Sequence, residues 1–289
     1  MDVFILNCDD KSVDSIEYLD YLREIYLTNC EDYRIVMCKN RDEIMVKTLY
    51  YKTRDDVRYI YAIGGNETIN SVVNGMIPSK KPLVIIPCGN NDLARNLNGI
   101  NEDTWIDLGR VNGEYFLNNV SVGLDALISR RINDMSGLKN PSYTKELLRL
   151  SSNYSSFDVN MNLDGEVFNK NINLASFYNG PYLGNMKMVN EGSITDGKLN
   201  LLMSKDTTRL RLFYNLLKLW LMDTKNSKDI TLREVENAHL IFNYPHVYTF
   251  DGIEKRESDL NISVCPKKLL IKKELDPRVR RLSDGKNCK

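Results

Sequence analysis

YIYAIGGNETINSVVNGM, residues Tyr59 to Met76, changes character midway. A run of β-formers leads straight into Gly64-Gly65, and beyond the glycines Ile69, Val72, Val73 and Met76 recur at helical spacing. The stretch therefore reads as strand, tight turn and amphipathic helix. Side-chain-free turns let a backbone pass close to an anion, and a helix that starts there adds N–H groups and the positive end of its dipole. Such a turn can cradle phosphates. By itself the pattern also fits an ordinary tight turn.

A second stretch, PLVIIPCGNNDLARNLNG from Pro82 to Gly99, repeats the arrangement. An apolar strand over Leu83 to Ile86 meets a Pro and Gly break, and Asn90-Asn91-Asp92 then leads into Leu93, Ala94 and Leu97. The offset between the two turns is that of one αβ unit in a parallel sheet. Both turns then fall at carboxyl ends of strands, where open α/β sheets gather ligands.

GGNETINSVVNG resembles the GGDGTxxEVxNG signature of the diacylglycerol kinase catalytic-domain family, which includes sphingosine kinases and bacterial lipid kinases, and PCGNNDLARNL resembles its PxGTxNDFAR segment. Four further resemblances follow in family order. YFLNNVSVGLDALI (Tyr115 to Ile128) is similar to the strand that opens the family's second domain, and FYNGPYLGNMKMVNEGSITDGKLNLLM (Phe177 to Met203) to its NGxxxGGG segment. YTFDGIEKR (Tyr248 to Arg256) is similar to the DGE strand, and LNISVCPKKLLI (Leu260 to Ile271) to the closing strand. A soluble NAD kinase is the related alternative, because that fold also uses a GGDG motif. The later NG and DG segments fit the lipid family better.

The remaining chain agrees with this. It has 289 residues, enough for two domains, and its 42% hydrophobic and 27% charged content describes a globular protein. Lys plus Arg equals Asp plus Glu at 39 each, so no global field favours nucleic acid. From Cys265 to Lys289 nine basic residues face three acidic ones, a basic tail that can be a solvated end or can touch anionic headgroups. The six cysteines (Cys8, Cys30, Cys38, Cys88, Cys265, Cys288) lack CxxC spacing, no signal peptide precedes them and no 18-residue apolar run occurs. The expectation is a cytoplasmic protein with reduced thiols and no transmembrane segment, which meets a lipid by visiting the membrane surface.

Strands are expected at Val3 to Asn7, Tyr33 to Cys38 and Tyr59 to Ile63, with helices at Val13 to Leu27 and Asp42 to Tyr51: a doubly wound N-terminal α/β domain, NAD kinase/diacylglycerol kinase-like, over 1–114. From Tyr115 short alternating runs indicate an antiparallel β-sandwich over 115–271, namely Tyr115 to Val122, Phe157 to Leu163, Asn171 to Tyr178, Lys198 to Ser204, Ala238 to Asn243, His246 to Phe250 and Asn261 to Val264. Helices at Asn140 to Tyr154 and Thr208 to Met222 interrupt it. The second has a wide apolar face beside Arg209, Arg211 and Lys218, and fits either packing on the sandwich or dipping into a membrane. Residues 272–289 form a basic tail that can return to the first domain.

The resemblance implies transfer of the γ-phosphate of ATP to a lipid hydroxyl, with Mg²⁺ near the phosphates and a base for the acceptor proton. Carried over residue by residue, Gly64, Gly65, Asn66, Glu67, Thr68, Gly89, Asn90, Asn91 and Asp92 hold the nucleotide, Asp92 also touching metal. Asp251 is the base candidate, with Glu254 beside it, and Asp251-Gly252 taken alone also fits a hairpin turn. Asp196 matches the acid of a structural metal site completed around Ser193 and Lys198; a metal-free turn with Gly197 fits as well. His239 and His246 have no acidic partner in the sequence pattern and read as packing or surface residues. A homodimer is compatible with the reading.

Several positions depart from the family pattern. Asn7-Cys8-Asp9-Asp10-Lys11 stands where an NPxxG turn is usual, so acids replace the glycine near the expected phosphates. Asn66 offers a neutral amide in place of an Asp, Glu67 sets a carboxylate at a helix mouth, Ser71 replaces a Glu, and Ile253 replaces the Glu of DGE. These changes make the alternative a family member that binds a lipid or nucleotide without turnover.

Overall fold

The computed structural model describes residues 1–8, 23–24, 32–87, 96, 102–134, 146, 149–150, 154–183, 186–187, 192–220 and 228–272. The chain divides into two compact units, Met1–Ile106 with Lys267–Lys289, and Asp107–Pro266. The division lies upstream of the 114/115 boundary expected from composition.

In the first unit β1 (Asp2–Asn7), β2 (Tyr33–Cys38), β3 (Tyr59–Gly64) and β4 (Leu83–Pro87) form a parallel sheet in the order β2-β1-β3-β4. β1 and β3 are buried nearly end to end, as strands covered on both faces must be. Helix α1 (Arg41–Lys52) begins at Asn40, whose side chain accepts the Glu43 N–H, and α2 (Asn66–Met76) follows β3. The two helices pack together where Gly75 lets the backbones approach: a Cβ there would lie 2.7 Å from the Thr48 Cβ and 2.8 Å from the Met45 carbonyl. The helix expected at Val13 to Leu27 lies, apart from residues 23–24, outside the described residues. Near its end the chain returns to this unit, where Ile271 pairs with Leu83 and the Lys272 N–H donates to the Leu83 carbonyl at 2.9 Å.

The second unit is antiparallel β structure. After β5 (Thr104–Val111), which the sequence reading did not anticipate, the stretch expected as one strand over Tyr115 to Val122 is two, β6 (Glu114–Phe116) and β7 (Asn119–Gly123). The break at Leu117-Asn118 turns three amides toward Asp251. Helix α3 (Leu124–Asp134), also unanticipated, follows β7. Then come β8 (Phe157–Leu163), β9 (Glu166–Tyr178), a short pair β10 (Tyr182–Leu183) and β11 (Met186–Lys187), β12 (Leu199–Lys205), α4 (Arg209–Trp220), β13 (Ile230–Val235), β14 (Asn237–Phe250) and β15 (Ile253–Ile271). β8 alternates buried and exposed along its whole length, the signature of a strand with one face inward.

Both β9 and β14 are long enough to serve two neighbours. The first half of β9 pairs with β8 and its second half with β7 and β12; β14 does the same with β8 and β7. These shared strands wrap the layers around one core that includes Val120, Phe157, Phe177, Leu201, Leu240 and Phe250. The runs Ala238 to Asn243 and His246 to Phe250, expected as separate strands, are one strand interrupted by a register shift between Ile241 and His246. A smaller apolar cluster joins Leu124 and Ile128 of α3 and Leu212 of α4 to Leu174, Tyr178 and Leu202. The expected helix at Asn140 to Tyr154 lies largely outside the described residues.

Candidate functional site

In the first unit the expected phosphate turn sits at the carboxyl end of β3. Gly64 has φ 148°, a conformation side chains rarely adopt, and Gly65, the N-cap of α2, has no side chain of its own to cap the helix. Thr68 is buried in the first turn and Glu67 is exposed there. The Asn66 Oδ1 is buried without a hydrogen-bond partner among the described residues. Ser71, where the family carries a Glu, turns its hydroxyl back to the Glu67 carbonyl at 2.7 Å. Gly89, Asn90, Asn91 and Asp92 lie outside the described residues, as do Asp9, Asp10 and Lys11.

In the second unit Asp251 and Gly252 form the two-residue turn between β14 and β15, with φ 44° and 87° and Phe250 paired to Ile253. Positive φ at both positions is what a tight hairpin requires, and Asp followed by Gly meets it at least cost. The Asp251 carboxylate is buried and accepts the N–H groups of Leu117, Asn118 and Asn119 at 2.6, 2.9 and 3.3 Å. The hairpin reading of Asp-Gly thus describes the backbone, and its carboxylate is also a fixed acceptor. Ile253, at the family's Glu position, is part of the apolar core. Glu254 faces away from that core and pairs with Arg130 at 3.1 Å.

Asp196 closes a tight loop: its oxygens accept the Ser193 N–H at 2.9 Å and the Lys198 N–H at 3.0 Å. The Lys198 ammonium pairs with Glu234. The partners of Asp196 that the structure fixes are therefore backbone donors, and among the described residues no three His, Cys, Asp or Glu side chains gather to hold a metal. The described residues do not by themselves fit a Mg²⁺ shell.

Two features correct or extend the sequence reading. His239, expected to lack an acidic partner, has Nε2 2.9 Å from the Asp259 carboxylate; Asp259 lies two residues from Asn261, the residue that faces His239 across the ladder, and so shares its side of the hairpin. Also unanticipated is a buried polar chain in which the Asn119 amide donates to Ser121 Oγ at 2.9 Å, and Ser121 and Ser176 hydroxyls both donate to the Asp125 carboxylate at 2.6 and 2.7 Å. Its trace in the sequence is the set of polar residues inside the apolar run NNVSVGLDA. The groove of about 670 Å³ bordered by Arg110, Asn112, Asp164, Asn237 and His239 lies at the other end of the β14–β15 hairpin from Asp251 and contains no expected site residue.

Known proteins carry the same two-part pattern. Residues 3–114 match the family model described as diacylglycerol kinase catalytic domain, and residues 118–272 match that of the YegS C-terminal NAD kinase beta sandwich-like domain. A Staphylococcus haemolyticus protein named "Putative lipid kinase" is 26% identical over 288 residues, which cover 89% of this chain and 91% of that protein. A protein of the same name from Staphylococcus epidermidis is 26% identical over 271 residues, 84% of this chain and 86% of its own. A crystal structure described as a putative diacylglycerol kinase from Bacillus anthracis has the same fold, with a TM-score of 0.75, 20% identity and 95% of each chain covered. With an N-terminal catalytic domain, a C-terminal β-rich NAD kinase-like domain and family models spanning nearly its whole length, the chain belongs to the diacylglycerol kinase family.

Proposed function

We propose that this chain is an ATP-dependent lipid kinase that transfers the γ-phosphate of ATP to a lipid hydroxyl. The observation that carries the reading is the turn after β3: a Gly-Gly bend at the carboxyl end of a parallel strand, opening a helix whose N-cap is a glycine. Gly64, Gly65, Asn66, Glu67 and Thr68, with Gly89, Asn90, Asn91 and Asp92, are the proposed nucleotide contacts. Backbone donors and the helix dipole there favour the negative charge of the phosphates.

Asp251 is the proposed acceptor of the hydroxyl proton. Its carboxylate is locked in one orientation by three N–H groups, and positioning of this kind is most of what phosphoryl transfer asks of a protein. Glu254, bound to Arg130, supports the same turn. Asp92, outside the described residues, is the proposed metal contact, whereas the Asp196 loop, whose carboxylate accepts the Ser193 and Lys198 N–H groups, is proposed as a metal-free structural turn. Mg²⁺ supplies charge neutralisation when bound.

The lipid is met at a membrane surface. No helix among the described residues is long and apolar enough to cross a bilayer, whereas Leu210 and Tyr214, one turn apart on α4, are 81% and 56% exposed. The test is incubation of the full chain with radiolabelled ATP, Mg²⁺ and mixed diacylglycerols. Labelled phospholipid is the expected product. None, under conditions where a family member makes it, overturns the kinase reading.

A further inference from the structure

The segment Leu117–Asn119, which seats the Asp251 carboxylate, is gripped from its other side by Asn179. The Asn179 Nδ2 donates to the Leu117 carbonyl at 3.0 Å and to the Asp107 carbonyl at 2.8 Å, and the Asn179 main-chain N–H donates to the Asn118 carbonyl at 2.7 Å. The Leu117 carbonyl and the Asn118 N–H belong to one peptide plane; the Asn118 carbonyl and the Asn119 N–H belong to the next. In each trans peptide the two groups point in opposite directions and cannot rotate independently. Asn179 therefore holds the carbonyl side of the same two planes whose N–H sides hold Asp251 at 2.9 and 3.3 Å.

We propose that Asn179 is a positioning residue for the reaction, aiming the Asn118 and Asn119 amides so that the Asp251 carboxylate has a single orientation. The proposal rests on the kinase reading with Asp251 as the proton acceptor. Asn179 is fully buried, so water does not substitute for its amide. Its residue type follows from the task. One NH₂ group donates to two carbonyls, an ionised Asp has no proton to donate, and a Ser hydroxyl serves only one. Bonds in a buried series polarise one another, so loss at Asn179 is felt at Asp251.

The experiment is a double-mutant cycle on the full chain, with wild type, N179A, D251N and N179A/D251N assayed for transfer from radiolabelled ATP to dioctanoylglycerol across a pH series. N179A is expected to lower kcat at least tenfold with KM for ATP within twofold, and to move the acidic limb of the kcat profile. The double variant is expected to be no slower than D251N, a coupling of at least tenfold. N179S, which keeps one donor, is expected to fall between wild type and N179A and serves if N179A does not fold. An active wild type with additive losses, or an unmoved pH limb with a loss only in thermal stability, overturns the positioning role and leaves the kinase reading intact. A wild type without turnover overturns both.

Discussion

At the scale of single residues, the departures from the family pattern lie where charge and backbone matter most. Glu67 puts a carboxylate in the first turn of α2, at the end of the helix dipole that the proposed phosphates would share. Glu67→Gly is expected to tighten ATP two- to fivefold, the value of about 0.3–1 kcal/mol for a charge at a helix end, as read by calorimetry; unchanged or weaker binding counts against phosphates at this turn. Asp251 has the opposite character, since it is an acid that the fold uses fully. Asp251→Ala leaves the Leu117, Asn118 and Asn119 amides without their acceptor and puts alanine at φ 44°, so denaturant unfolding is expected to report a loss of about 3 kcal/mol or more. The sequence identifies Asp251 through its Asp-Gly turn but gives no sign of the three amides, because they come from residues over a hundred positions upstream. For the same reason Asp125 and Asn179 stand in recognisable motifs without any visible role.

At the scale of elements, periodicity is legible and interruptions are less so. β1, β2 and the strand–turn–helix around Gly64 follow from apolar runs and punctuation, whereas α3 does not, because LDALISRRIND continues an apolar strand with no proline or cap between them. The α1–α2 contact depends on Gly75, and Gly75→Ala is expected to cost about 1–3 kcal/mol because its methyl meets the Met45 carbonyl as well as the Thr48 side chain; an unchanged denaturation midpoint would contradict this packing. The irregularity in β14 places His246 among Phe157, Phe242 and Tyr244, with ring centroids 4.5, 4.9 and 4.6 Å away. Burial, followed by the nearby Arg256, lowers its pKa. The unfolded chain then takes up a proton near pH 6.5 that the native ring resists, so stability is full above that pH and falls as the pH drops toward the depressed native value. His246→Phe is expected to flatten this dependence between pH 7 and 5 in thermal melts, and an equally steep slope would assign it to other groups.

At the scale of the molecule, alternating strands and helices followed by short antiparallel runs give the two-part architecture directly; Gly64-Gly65 falls at the end of β3 and Asp251-Gly252 on the β14–β15 turn. What the sequence leaves out is how strands are shared. β9 and β14 each serve two neighbours, and a register shift in β14 with two-sided pairing in β9 cannot be read from local alternation. The functional account stands on the turn after β3 as a phosphate cradle, and isothermal titration of the full chain with ATP in the presence of Mg²⁺ tests it most directly. The account predicts saturable binding by the wild type and at least tenfold weaker binding by Gly64→Val, whose side chain is incompatible with φ 148° at the mouth of α2. No binding heat from the wild type, or equal affinity in the two proteins, would contradict it.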